Sequence, residues 1–189
     1  MDAHEQRFHI SLKLLVAIVT SEPTTSLEDA ERQLDRVQSF FPRIDSKVSA
    51  IFAITAAQLA IAALNLSRED LVHWYVWVLM ALFIGGVGWT MISLYFCTYP
   101  HLGGGDASLT YFKKIAEMSE EEFDGRYKAL THSELQDDFI RQVWRNAQIV
   151  NIKYWYLRNA TISSMLSLAP WTLLLLAVTL AQGDVPLVQ

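Results

Sequence analysis

The chain has 189 residues, 52% of them hydrophobic, with a formal net charge of −5 and one cysteine. A single Cys97 excludes an internal disulfide framework and any CxxC metal or redox motif, and the acidic balance, centred on residues 117–138, argues against duplex nucleic acid as a partner. The apolar residues are concentrated: residues 48–67, 71–105 and 159–183 contain no Asp, Glu, Lys or Arg.

The first apolar stretch, residues 8–19 ("FHISLKLLVAIV"), is too short to span a bilayer and carries Lys13. It reads as a helix lying on the membrane or packed under the spans, and no small-residue cleavage pattern marks a signal peptide. After "TSEPTTS", Ser26 with Asp29 is a capped helix start for "LEDAERQLDRVQSFF". Pro42 is expected to kink that helix just before the first span.

A helix rising 1.5 Å per residue needs about 20 apolar residues to cross ~30 Å of hydrocarbon. Residues 48–67 meet that length with only Thr55, Gln58 and Asn65 as strongly polar breaks before the closing Ser67. "LNLSRED" then makes a tight turn, in which Ser67 and Asp70 are placed to cap a second span starting near Leu71. That span ends around Tyr99, with Trp74, Tyr75 and Trp77 at one end and Tyr95, Phe96 and Tyr99 at the other, as interfacial aromatic belts.

"PHLGGGDAS" breaks the chain. A short helix over 111–118 follows, then a second opened by Ser119 with Glu122, whose "EEEFD" is a solvated acidic face, and a third opened by Thr131 with Glu134. No glycine and a single proline, Pro170, interrupt the chain from Glu134 to Ala181, which predicts one long helix that starts in the cytoplasm and finishes as the third span. The expected layout is therefore all-α and membrane-integral: 1–45 cytoplasmic or interfacial helices, 46–99 a transmembrane hairpin, 100–158 a cytoplasmic helical region, 159–182 the third span, 183–189 an outer tail. Of the fifteen Lys and Arg, only Arg68 falls on the far side in this layout, so the N-terminus is expected in the cytoplasm.

Three sets of residues are candidates for function. Ala50, Ala53, Ala57 and Ala60 stripe the first span and Gly85, Gly86 and Gly88 mark the second, surfaces that allow close helix approach within the monomer or between copies. Gln58, mid-span, is either an interhelical hydrogen-bonding group or a pore-lining one; Pro170 is a static kink or a hinge. At the basic boundary, Arg43, Asp45 and Lys47 meet Lys153, Tyr154 and Arg158. Asp45 pairing with Lys153 or Arg158 would brace the spans; the alternative is a cationic, aromatic-walled pocket for a small phosphate-bearing ligand. His4, His9, His73, His101 and His132 show no metal-ligand spacing, and no nucleophile elbow or zinc motif occurs, so an enzyme is not expected.

At these residues the chain resembles the transmembrane effectors of bacterial Pycsar anti-phage systems, the PycTM family. The resemblance runs over roughly 30–180: Asp45 and Lys47 opening the first span, Ser119, Glu121, Glu122 and Phe123 starting a helix after the second, and Lys153, Tyr154, Leu157, Arg158 and Ala160 before the third. It implies a non-catalytic, cell-killing effector that assembles and compromises the inner membrane when a neighbouring cyclase makes a cyclic nucleotide, cUMP or cCMP. It brings no metal or resident cofactor. A membrane scaffold or channel subunit working with a partner protein would carry much the same sequence.

Overall fold

The computed structural model describes residues 26–99 and 108–182. The expected helix over 8–19, the glycine-rich break at 103–105 and the tail 183–189 lie outside the described residues. Six α-helices are described: α1 (Leu27–Gln38), α2 (Phe40–Asn65), α3 (Trp74–Thr98), α4 (Phe112–Ala116), α5 (Glu120–Ala129) and α6 (His132–Gln182). No strand occurs among the described residues, and three helical runs are long and apolar enough to cross a membrane, ending at Asn65, Thr98 and Ala181.

α1 opens as its sequence dictates. The Ser26 and Asp29 side chains each accept from the other residue's backbone N–H, at 3.1 and 3.2 Å. Ala30, Leu34 and Val37 then form one buried face at helical spacing. The helix stops at Gln38, one turn residue intervenes, and α2 starts at Phe40. Pro42 therefore does not kink a continuous helix. It sits in the first turn of α2, where a missing N–H leaves no hydrogen bond broken.

Ser67 and Asp70 do form the expected reciprocal contact, with the Ser67 backbone N–H donating to Asp70 Oδ2 at 2.8 Å. It closes a 3-10 turn, Asp70–Val72, and the second span begins only at Trp74. Ser119 caps α5 by accepting from the Glu122 backbone N–H at 3.2 Å. Thr131 and Glu134 cap α6 in both directions, at 3.3 and 2.9 Å. The Ser26 hydroxyl holds Asp29, and the Thr131 backbone N–H holds Glu134, below the ordinary carboxylate range. Both caps are thus complete at neutral pH and lost only as acid protonates these groups.

α6 is the spine. Its 51 residues extend roughly 77 Å at about 1.5 Å each, and α1, α2 and α3 all pack on it, α3 most extensively. The buried core falls into two apolar clusters. Ile44, Val48, Leu94, Cys97, Leu157 and Ala160 lie toward the basic end; Val76, Phe83, Val87, Leu174 and Val178 lie toward the opposite end. The outward faces are apolar too, with Phe52, Ile54, Leu82, Trp89, Leu166 and Leu173 exposed as a lipid-facing surface requires. Trp74, Trp77, Tyr95, Phe96 and Tyr99 are exposed near the ends of α3, whereas Tyr75 is half-buried.

Candidate functional site

Along all three spanning helices, buried polar residues fall between the two apolar clusters: Thr55 and Gln58 on α2, Thr90 and Ser93 on α3, Ser163, Ser164 and Ser167 on α6. Thr55, Thr90 and Ser167 are satisfied within their own helices. Thr55 donates to the Ile51 carbonyl at 2.8 Å and Ser167 to the Ser164 carbonyl at 2.8 Å, while Ser163 reaches across to the Gly86 carbonyl at 2.8 Å. Gln58 is different. Its side chain is 3% exposed, and neither amide atom has a hydrogen-bond partner among the described residues. Its backbone carbonyl accepts the Trp171 indole N–H at 3.0 Å, which ties the middle of α2 to α6 one residue beyond Pro170. Pro170 lies within α6, and its ring nitrogen cannot donate to the carbonyl of Leu166.

The three glycines of α3 separate. A side chain on Gly86 would put its Cβ 2.9 Å from Ser167 Cβ, whereas Gly85 and Gly88 have nothing within 4 Å of that position. Gly86 is thus a point of close approach of α3 on α6 inside the monomer. Ala50, Ala53, Ala57 and Ala60 are all exposed, on the side of α2 opposite Ile44, Val48, Thr55 and Gln58. The alanine stripe plays no part in packing the monomer's core.

At the basic boundary the bracing pair is present: Lys153 Nζ lies 3.3 Å from Asp45 Oδ1 and 5.7 Å from the centre of the Phe41 ring. The cations expected to form one pocket are divided between two. Lys47, Tyr154 and Arg158 line an open groove of about 580 Å³ floored by Ala50, Ile51 and Leu157, with the Lys47 ammonium 6.0 Å from the Tyr154 ring centre. Lys153 lines a different cavity of about 560 Å³ together with Phe41, Tyr111, Phe112, Gln142 and Asn146. Arg43 lines neither of these cavities; its guanidinium lies 5.6 Å from the Phe40 ring centre. Helical geometry explains the division, since five residues on α6 subtend about 140°, so Lys153 and Arg158 leave the helix on different sides.

One feature had no signal in the sequence. Asp138, at the end of the acidic stretch 117–138, is 5% exposed. Its Oδ2 accepts from the hydroxyls of Ser108 and Thr110, at 3.0 and 2.8 Å, and from the backbone N–H groups of Leu109 and Thr110, both at 3.1 Å. These bonds fasten the segment that follows the glycine-rich break onto α6, and that segment supplies the Tyr111 and Phe112 wall of the Lys153 cavity. The "EEEFD" run, by contrast, lies on an α5 with no buried residue. No cluster of three or more His, Cys, Asp or Glu able to hold a metal occurs among the described residues.

No curated protein and no solved structure matches the chain. A family model described as the Pycsar effector protein domain, PycTM, matches residues 29–181, which takes in α2, α3 and α6 from Asp45 through the mid-span polar layer to Pro170. The chain is a membrane protein of the Pycsar effector family.

Proposed function

We propose that this chain is the membrane-disrupting effector of a cyclic-nucleotide-triggered anti-phage system, multi-pass in the bacterial inner membrane with its N-terminus in the cytoplasm. The lysine and arginine distribution supports that orientation. The family supplies the defence context. The observation that carries the membrane-disrupting step is the buried Gln58 amide without a partner, in a layer of hydroxyl side chains halfway along the spans.

An unpartnered amide away from water costs on the order of 1–3 kcal/mol. A resting bundle that keeps one is held short of its most stable arrangement in that layer. In the activated state, copies meet through the exposed alanine face of α2, and the helices shift about the Pro170–Trp171 region so that the Gln58 layer takes up water. An ion path through the membrane then needs no catalysis.

Ala57→Leu tests the assembly step, because Ala57 is exposed and a leucine there leaves the monomer's own packing intact. Cells expressing this variant with a cognate cyclase should keep their membrane potential during infection, while wild-type cells lose it. Depolarisation by the variant equal to wild type would rule out association through that face.

A further inference from the structure

We propose that the cleft bounded by α1, α2, residues 110–112 and α6 is the binding site for the triggering nucleotide, and that it takes a flat base together with one phosphate charge. This deepens the reading of the chain as a nucleotide-triggered effector and rests on it. The volume of about 560 Å³ lies within the roughly 300–1,000 Å³ of small-ligand sites. Phe41, Tyr111 and Phe112 present aromatic surface on which a base can stack. Gln38 and Asn146 offer amides, each both donor and acceptor, as the hydrogen-bonding edge of a base requires, while the Gln142 amide N–H already donates to the Ser108 hydroxyl at 2.9 Å. The Tyr111 hydroxyl is buried and has no partner among the described residues.

Lys153 supplies the single cation. Its side chain is 12% exposed, whereas its partner Asp45 is 56% exposed and 3.3 Å away, a long contact for a charge-assisted bond, which is typically about 2.7–2.9 Å. A phosphate in the cavity competes for Lys153 on favourable terms, and Asp45 can return to water. Since Asp45–Lys153 ties the start of the first span to α6, ligand binding is coupled directly to the seam between those helices. The groove carrying Lys47 and Arg158 lacks this character. Its floor is apolar and no amide side chain lines it, which suits lipid contact better than a base.

The test is titration calorimetry on the full chain in nanodiscs, with 3′,5′-cyclic UMP, 3′,5′-cyclic CMP and inorganic phosphate as separate probes. One cyclic nucleotide should bind saturably and phosphate should not. Asn146→Leu and Lys153→Gln should each weaken that binding by about tenfold or more, whereas Lys47→Gln and Arg158→Gln should change it by less than about twofold. Asn146 lies outside the Asp45 brace, so its variant keeps the test valid if Lys153→Gln perturbs folding; thermal melts of each variant check this. Tight binding retained in Asn146→Leu, or lost in the Lys47 and Arg158 variants, overturns the assignment of the site while the nucleotide-triggered reading stands. No cyclic nucleotide binding to the wild-type chain overturns both.

Discussion

Gly86→Ala is expected to lower the melting temperature of the detergent-solubilised chain, with a loss of about 1–3 kcal/mol. The added methyl would lie 2.9 Å from Ser167 Cβ and 3.5 Å from Ser167 Cα, so relief requires moving backbone rather than rotating a flexible side chain. The Ser163–Gly86 hydrogen bond, made at the same crossing, would lengthen with it. Gly85→Ala and Gly88→Ala meet open space and should be neutral or slightly stabilising, since alanine is the better helix former. Combining Gly86→Ala with Ser167→Gly removes the closer contact and should recover part of the loss. Equal melting temperatures for the three single variants would show that α3 and α6 do not approach at Gly86.

Gln58→Leu should act in the opposite direction on stability and abolish function. Replacing the unpartnered amide with an apolar group of similar size removes a buried polar liability of about 1–3 kcal/mol, so the variant should melt at a higher temperature than wild type. It also removes the amide that a hydrated mid-span layer would use, so nucleotide-triggered depolarisation should disappear while nucleotide affinity is unchanged. Paired thermal melts and membrane-potential measurements check both halves. A destabilised Gln58→Leu chain would mean that the amide is satisfied in the folded protein, and full depolarisation would remove Gln58 from the activation step.

The spans and the helix caps were legible because they rest on local physics. Charge-free stretches, the Ser26–Asp29 and Thr131–Glu134 pairs, and the uninterrupted run to Ala181 each act within a few residues or along one helix. The resemblance carried by Asp45, Lys47, Lys153 and Arg158 led to the right family for the same reason, since those residues flank the charge-free stretches of two long helices. What failed depended on partners or on rotation about a helix. Pro42 was read as a kink in a continuous helix, but α1 stops at Gln38 and Pro42 falls in the first turn of α2. The Ser67–Asp70 pair was read as a helix cap, and the chain used it for a 3-10 turn, postponing the helix to Trp74. Lys153 and Arg158 are near in sequence yet face different cavities. The clasp of Asp138 on residues 108–110 joins positions about thirty residues apart, and no spacing rule in a single sequence reveals such a pair. The separation of Gly86 from Gly85 and Gly88 likewise emerges only once Ser163 and Ser167 are seen against it.

On this mechanism, the chain by itself converts a bound cyclic nucleotide into a membrane leak. The deciding measurement uses the purified wild-type chain reconstituted in sealed liposomes, with an internal dye reporting ion entry. Adding the cyclic nucleotide that binds in calorimetry should start ion flux in wild-type vesicles and not in Gln58→Leu vesicles. Wild-type vesicles that stay sealed while the nucleotide saturates its site would mean that the chain does not form the leak by itself.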